Sequence, residues 1–171
     1  MLFSAFNLTP WINEHRHLLK PPVGNQCLVD GDFIVMIVGG PNTRKDYHFE
    51  EGPEFFYQIE GDIVVKVVED GTPKDVHIKQ GEVFYLPPRT PHSPQRPANT
   101  IGMVVERKRV DGELDAFQWY CENCGTKLYE EILELTNIVN QLPPIFERFY
   151  SSVERRTCGK CGTVMVPPGR G

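Results

Sequence analysis

Two segments of the chain carry side chains that commonly bind metal ions. In the first, a Glu-Glu-Gly-Pro turn separates His48 from Glu54, and a strand-like run follows. The second runs from Gly81 through a short apolar strand into a proline-rich turn that ends at His92. Two imidazoles and one carboxylate form a ligand set that leaves open positions on a non-haem Fe(II) ion. The pattern therefore predicts a catalytic metal site at which a small substrate and dioxygen bind together.

Both segments resemble the paired motifs of the cupin superfamily. Glu54 and Gly61 match the end of the first motif, and Gly81, Pro87 and His92 match the second. A single surface histidine near a glutamate is usually only solvated. Two spaced motifs that converge on ligand-type residues favour a metal site instead. The resemblance implies a mainly β protein, a cupin with a small β-barrel or jelly-roll fold.

The chain departs from the cupin pattern at two positions. The first motif usually holds a His-x-His pair, but here His48 is followed by Glu50. The second motif usually has a glycine between its proline and its histidine, and here that residue is Arg89. The missing histidine reduces a four-ligand site to three ligands, which is the number expected of an open iron site.

Length and charge limit the remaining possibilities. A chain of 171 residues suits one domain, or one domain with a small appendage. The net charge of −5 argues against a nucleic-acid partner. No apolar run approaches the ~20 residues that span a bilayer, and the N-terminal segment lacks a signal-peptide pattern. We therefore expect a cytoplasmic protein with no membrane partner.

Local patterns predict a helix followed by many short strands. Thr9 and Pro10 suit the start of an N-terminal helix. Apolar runs at sandwich-like or barrel-like spacing, including a hairpin with an Asp-Gly turn, predict strands from residue 26 to residue 108. We place a boundary near residue 112. Residues 1–112 would form the cupin barrel with the catalytic site, and residues 113–171 a C-terminal extension.

The extension contains two Cys-x-x-Cys pairs, each followed by glycine. Without a secretion signal, such pairs predict metal binding rather than disulfides, and four thiolates suit a tetrahedral ion. Zinc and iron both fit an all-sulfur tetrahedron, so the residues leave the metal open. The four predicted ligands are Cys121, Cys124, Cys158 and Cys161. The remaining cysteine, Cys27, is expected to be a buried or partly buried thiol.

Three further polar side chains are candidates for the substrate pocket. Arg44 and Arg96 lie within a loop's reach of His48 and His92, and a guanidinium fork suits a carboxylate. Glu106 lies in a valine-rich strand, where an inward carboxylate needs a partner. Solvated loops for the arginines and a cross-strand salt bridge for the glutamate are the alternatives. Because these side chains accompany two metal motifs, we favour substrate-binding roles over those alternatives. The substrate would then carry a carboxylate and an amine or hydroxyl group.

With these residues taken together, the sequence resembles one enzyme family, the 3-hydroxyanthranilate 3,4-dioxygenases of microbial type. The resemblance covers nearly the whole chain, including the cysteine tail. It is carried by four phrases: GGPNTRKDYH at 39–48, EFFYQ at 54–58, PHSPQR at 91–96 and VVER at 104–107. Such long phrases are improbable by chance.

The resemblance implies the role of each candidate residue. Fe(II) would be held by His48, Glu54 and His92, and the substrate would contact Glu54, Arg96 and Glu106, with Arg44 on the dioxygen side. The product would be 2-amino-3-carboxymuconate semialdehyde, on the route from tryptophan to quinolinate and NAD. The resemblance also implies a homodimer and a rubredoxin-like iron site at the four cysteines.

Three other functions are compatible with the residues. One is a non-catalytic cupin that binds a small acid and regulates another process. A second is an electron carrier or interaction protein whose main part is the four-cysteine module. A third is a cupin dioxygenase for a thiol or an acireductone, which the two arginines and Glu106 fit less well.

Overall fold

The polypeptide folds mainly into antiparallel strands, as the sequence predicts. The computed structural model describes residues 4–21 and 24–169. Residues 1–3 of the segment assessed for a signal peptide lie outside that part of the chain. The helices and a 3₁₀ turn are α1 Leu8–His15, the 3₁₀ turn Arg16–Leu18, α2 Ile138–Tyr150 and α3 Val153–Arg156. The strands are β1 Asn25–Asp30, β2 Phe33–Gly39, β3 Tyr47–Phe49, β4 Glu54–Glu60, β5 Ile63–Glu69, β6 Thr72–Ile78, β7 Val83–Leu86, β8 His92–Gln95, β9 Ile101–Arg107, β10 Asp115–Tyr120 and β11 Lys127–Leu133.

Two sheets face each other and bury the main core between them. Within the described residues, the first sheet has the order β1-β2-β9-β4-β7 and the second the order β11-β10-β3-β8-β5-β6. The inner face of the first sheet contributes Phe56, Leu86 and Val104, which pack against Val65 and Val67 of the second. Alternating strand residues place these side chains on the inner faces. The molecule is therefore a mainly β, cupin-like sandwich.

The N-terminal helix is present, but its cap differs from the expected one. Asn7, not Thr9, caps α1, and its side chain accepts a hydrogen bond from the Thr9 amide at 3.2 Å. Asparagine is at least as good a cap as threonine, so the helix starts earlier than predicted. Ile12 and Leu19 pack on Ile37 and Ile101, on the outer face of the first sheet. The helix thus covers one end of that face.

The hairpin between β5 and β6 forms as predicted. Its two turn residues, Asp70 and Gly71, both have positive φ angles, of 49° and 74°. Two successive positive φ values suit the tight turns that match the twist of a hairpin. The continuous β-branched run at 32–40 predicts a strand buried on both faces. That prediction is partly wrong, since Phe33 of β2 is 61% exposed.

The segment after residue 112 joins the second sheet. β10 pairs with β3, which places Phe117 opposite His48. The amphipathic pattern of residues 126–140 suits either a helix or a strand, and the stretch forms β11 and then enters α2. Phe117 and Trp119 of β10 pack with Ile145 and Phe149 of α2 in a second core. The division of the chain at residue 112 into two units stays a prediction, although the sheet runs across it.

Cys27 is exposed, and the expectation of a buried thiol is wrong. It lies on β1, an edge strand, where the pairing register shifts between Cys27 and Val29. Such a bulge redirects the side chains next to it. In the part of the chain described here, no helix is long and apolar enough to cross a membrane.

Candidate metal centres and substrate pocket

The structure brings the three predicted ligands together between the sheets. One nitrogen or oxygen of each of His48, Glu54 and His92 lies within 4.8 Å of the others. Glu54 Oε1 is 2.8 Å from His92 Nε2 and 4.0 Å from His48 Nδ1. His48 and His92 are cross-strand partners on β3 and β8, and Glu54 begins β4 in the facing sheet. Residues distant in sequence therefore converge because the two sheets face each other.

The turn that presents His92 has an unusual backbone. Arg89 has a φ of 60°, in the left-handed region where a side chain is unfavourable. The cupin motif usually has glycine at this position. The backbone here needs a positive φ, which glycine adopts without strain and arginine does not. The Arg89 guanidinium donates to Glu51 Oε2 at 2.6 Å. His92 Nδ1 lies 3.0 Å from the Thr90 carbonyl, which leaves Nε2 directed at Glu54.

His48 is held by residues that lie beyond position 112. Its Nε2 is 2.6 Å from Asp115 Oδ2, and its ring stacks on Phe117 with centroids 5.2 Å apart. Arg109 donates to both oxygens of Asp115, with each N–O distance 2.7 Å. Asp115 is 1% exposed, so these bonds form in a dry environment. Because Nε2 is bonded to Asp115, the other ring nitrogen of His48, Nδ1, lies on the side of Glu54.

The charges of the three ligands suit a cation. Burial lowers the pKa of His48 below its ordinary value, although its hydrogen bond to Asp115 opposes the shift. Burial alone would raise the pKa of Glu54, but the charge and hydrogen bond of His92 hold it below its usual range. The same Glu54 carboxylate raises the pKa of His92 against the effect of burial. A neutral imidazole and an anionic carboxylate are the forms that bind metals.

The donor set fits an open non-haem metal site. Two imidazole nitrogens and one carboxylate oxygen converge, and Glu54 Oε1 lies 2.8 Å from His92 Nε2. Three protein ligands leave other positions of an ion free, as the 2-His-1-carboxylate arrangement does. These residues therefore fit the Fe(II) that the resemblance implies.

Two more carboxylates lie beside Glu54. Acidic oxygens of Glu50, Glu54 and Glu106 lie within 4.8 Å of one another. Burial, together with Glu54, raises the pKa of Glu50 to about 10, and the same causes raise that of Glu106 to about 7. Arg109 is the nearest cation in the described structure, 3.3 Å from Glu50 and 3.8 Å from Glu106. Glu106 thus points inward, next to Glu54.

The two candidate arginines have different surroundings. Arg96 is 4% exposed, and its one side-chain hydrogen bond in the described residues is a long one of 3.5 Å to Gln58. Burial lowers the pKa of Arg96 to about 10, which still leaves it charged at neutral pH. Arg44 instead donates to both oxygens of Asp46, at 2.5 and 3.4 Å. Arg96 therefore has the freer guanidinium for a ligand, and Arg44 already has a carboxylate partner.

The four predicted thiolates also come together, as a separate cluster. Cys121 Sγ lies 3.5 Å from Cys161 Sγ, and Cys124 Sγ lies 3.6 Å from Cys158 Sγ. A disulfide would need about 2.05 Å. Sulfurs bound at about 2.3 Å to one tetrahedral ion lie about 3.8 Å apart, so the cluster fits such an ion.

The two cysteine loops have the same backbone pattern. In each, a glycine amide donates to the carbonyl of the first cysteine, Gly125 to Cys121 and Gly162 to Cys158. Both glycines have positive φ, 70° and 74°. Matching loops that present sulfur pairs to each other are what a four-thiolate site requires.

Sequence reasoning missed the residues that support the ligands. Asp115 and Arg109 surround His48 and the acidic cluster, yet neither lies in a cupin motif. A signal was present in the alternation of Asp115, Phe117 and Trp119, which places a carboxylate on one face of a strand whose other residues on that face are aromatic. A buried carboxylate needs a partner, and the partner could have been sought among the ligands.

The chain is similar in structure and in sequence to known proteins. A crystal structure of protein NMB1881 from Neisseria meningitidis aligns with 61% of this chain and 100% of its own, at TM-score 0.49 and 17% identity. A 3-hydroxyanthranilate 3,4-dioxygenase of Xanthomonas euvesicatoria pv. vesicatoria is 55% identical over 99% of this chain and 97% of its own length. The enzyme of that name from a Jannaschia species is 54% identical over 98% and 93%. The model of the 3-hydroxyanthranilic acid dioxygenase family matches residues 1–150, and the chain belongs to that family.

Proposed function

We propose that this enzyme is an Fe(II)-dependent, extradiol-type dioxygenase that cleaves the ring of 3-hydroxyanthranilate. Both atoms of O2 enter the product, 2-amino-3-carboxymuconate semialdehyde, so the reaction needs no external reductant. The observation that carries the proposal is the convergence of His48, Glu54 and His92, in a chain that is 55% identical to a relative of that name. The buried Arg96 lies within range of the charge of Glu54.

In the proposed site, His48, His92 and Glu54 would hold the iron, which would supply the coordination and electron transfer that let O2 react with the ring. Arg96 pairs with the substrate carboxylate through its guanidinium fork. Glu54 and Glu106 accept hydrogen bonds from the amino and hydroxyl groups on the ring. Arg44 lies on the dioxygen side. These residues fix the orientation of the ring, which is the main contribution of a protein to such a reaction.

The remaining parts of the proposal concern the second metal and the setting of the enzyme. We assign a rubredoxin-like iron, with zinc as the alternative, to the four cysteines, in a structural role. The enzyme would act in the cytoplasm as a homodimer, on the route from tryptophan to quinolinate and NAD. Its partners would be the small substrate and O2, with no nucleic acid or membrane.

Oxygen uptake tests the proposal directly. The protein is loaded with Fe(II) without oxygen, then mixed with 3-hydroxyanthranilate and O2, while oxygen uptake and the muconate chromophore are followed. We expect one O2 consumed per substrate and a product that contains both oxygen atoms. The absence of oxygen uptake by iron-loaded protein would refute the proposed reaction and favour a binding protein.

Removing a ligand tests the proposed iron site. His92→Ala should lose both catalytic iron and turnover, because the remaining imidazole and carboxylate cannot hold the ion in place. The exposed His77 provides a matched control, since it lies on β6 with its side chain in solvent. His77→Ala should keep both properties. Turnover by the His92 variant without bound iron would refute the assignment of the ligands.

A further inference from the structure

The His48 imidazole is restrained from two directions by one strand. Asp115 Oδ2 lies 2.6 Å from its Nε2, and the Phe117 ring stacks on it at an interplanar angle of 22°. Both residues belong to β10, which pairs with β3 so that Phe117 lies opposite His48. The hydrogen bond fixes rotation of the ring in its own plane, and the stacking limits its tilt.

Asp115 is itself fixed by Arg109. The guanidinium donates from Nε to Oδ1 and from a terminal nitrogen to Oδ2, both at 2.7 Å. This two-bond geometry sets the plane of a carboxylate more strictly than a single contact can. The same guanidinium also lies 3.3 Å from Glu50, so it contacts the acidic cluster next to the proposed ligands. A rigid chain of contacts thus leads from Arg109 through Asp115 to His48.

The hydrogen bond to Asp115 determines which nitrogen of His48 faces the metal site. An anionic carboxylate accepts a hydrogen bond but cannot donate one, so the proton of the neutral imidazole must lie on Nε2. Nδ1 then carries the lone pair, on the side of Glu54. A histidine ligand commonly gives its other N–H to a carboxylate, which sets the orientation of the ring and makes it a stronger ligand.

We propose that Asp115, held by Arg109, is the positioning residue for His48, fixing the imidazole so that Nδ1 faces the catalytic metal. The inference rests on the proposed metal site at His48, Glu54 and His92. It gives the segment beyond residue 112 a direct part in the catalytic centre, through a strand rather than through the four cysteines.

The chain offers a matched control for this pair. Arg107 and Glu113 lie two positions earlier and form the same kind of fork, with distances of 2.6 and 3.0 Å. In the described residues, the side-chain hydrogen bonds of Arg107 go to Glu113 and to the Lys108 carbonyl, and none reaches His48. Breaking this second pair also removes an arginine–carboxylate contact between residues six positions apart, but neither residue contacts a proposed ligand.

Asp115→Asn is the principal variant. An asparagine must turn its NH2 group either towards Arg109, where two donors would meet, or towards His48, where it would force the proton onto Nδ1. Either result weakens metal binding. Outer residues of this kind typically change metal affinity by about 10- to 100-fold. We expect a loss of that size in Fe(II) affinity for Asp115→Asn, and a change below about threefold for the control, Glu113→Gln.

The affinity can be measured without interference from the four cysteines. Protein is titrated anaerobically with Fe(II), and nitric oxide is added as a probe that binds iron with open positions. The electron paramagnetic resonance signal of the iron–nitrosyl complex then counts the open site alone, because four thiolates leave a tetrahedral ion no free position. Folding of each variant is checked by its thermal midpoint.

The outcomes separate this inference from the proposed function. If His48→Ala keeps its nitrosyl signal, the metal site itself is wrong and the inference falls with it. If His48→Ala loses the signal while folded Asp115→Asn matches the wild type, only the positioning role is overturned. If Asp115→Asn does not fold, Arg109→Gln replaces it. That variant should lose about threefold to tenfold in Fe(II) affinity, and no loss would overturn the proposal.

A measurement on the unaltered protein needs no variant. Nitrogen-15 chemical shifts of the metal-free protein distinguish the two neutral imidazole tautomers, and His48→Ala identifies the signals by their disappearance. We expect the proton of His48 on Nε2. A proton on Nδ1 would overturn the proposal, because Asp115 would then not accept the hydrogen bond. A general effect on stability would not select one tautomer.

Discussion

Arg96 is the residue whose surroundings most clearly call for a ligand. It is 4% exposed, yet the only side-chain bond it makes in the described structure is 3.5 Å long. A buried guanidinium with free donors is costly unless a partner completes its hydrogen bonds. The proposed substrate carboxylate is such a partner, and its role is open to test from both sides of the contact.

We expect Arg96→Ala to raise KM for 3-hydroxyanthranilate by about 10- to 100-fold, the value of a charged hydrogen-bonded pair. Arg96→Lys should recover only part of this loss, because an ammonium lacks the planar fork. Steady-state oxygen uptake provides the measurement. As a control, 2-aminophenol lacks the carboxylate, so the alanine substitution should affect it much less. An equal effect on both substrates would contradict the assigned contact.

Arg89 shows how one residue can keep a strained backbone at a site. Its φ of 60° costs a side-chain residue about 1–2 kcal/mol relative to ordinary conformations. Arg89→Gly should therefore leave the protein more stable than Arg89→Ala by about 1 kcal/mol, since both remove the ion pair with Glu51 and only glycine relieves the backbone. Denaturant unfolding of the two variants measures the difference. Equal stabilities would show that the turn stores no such strain.

At the scale of elements, the sequence predicts the turns and hairpins that are determined by a few neighbouring residues. Asp70 and Gly71 specify their hairpin within four residues, and Gly61 and Gly81 mark motif turns at which φ is positive. The pairing of β10 with β3 could not be predicted this way, because it joins segments far apart in the chain and no local pattern encodes the partner. The support of His48 by Asp115 depends on that pairing and was missed for the same reason.

The cysteine loops allow a prediction about one structural element. We expect Cys161→Ser to lose the second metal and to lower the thermal midpoint, because the ion would tie together two chain segments whose neighbouring residues, Trp119 and Met165, pack in the second core. The iron–nitrosyl signal of the folded protein should remain, since the catalytic ligands are separate. Cys27→Ser is a matched control, as both thiols are exposed and only one belongs to the cluster. Loss of the nitrosyl signal in folded Cys161→Ser would show that the two sites are coupled.

At the scale of the whole molecule, the outer face of the first sheet has a row of apolar residues in register across all five strands. The pairs run from Val29 to Val35, then Val105, Phe55 and Tyr85. Helix α1 covers the neighbouring part of this face through Ile37 and Ile101, but none of the described helices packs on the row itself. Val29, Phe55 and Tyr85 are 45%, 40% and 58% exposed. Such a contiguous apolar patch is typical of an interaction surface.

A second copy of the chain is the occupant we propose for this row, in keeping with the proposed homodimer. The row can be self-complementary about a two-fold axis, because it ends in an apolar side chain on both edge strands.

A buried charge at either end should then weaken association by about tenfold or more. Val29→Glu and Tyr85→Glu are therefore expected to shift sedimentation equilibrium towards monomer. Val153→Glu, on α3 and 60% exposed, changes an equally accessible valine away from the row and should not. Unchanged dimers in both row variants would place the interface elsewhere, and a monomeric wild-type protein would refute the dimer.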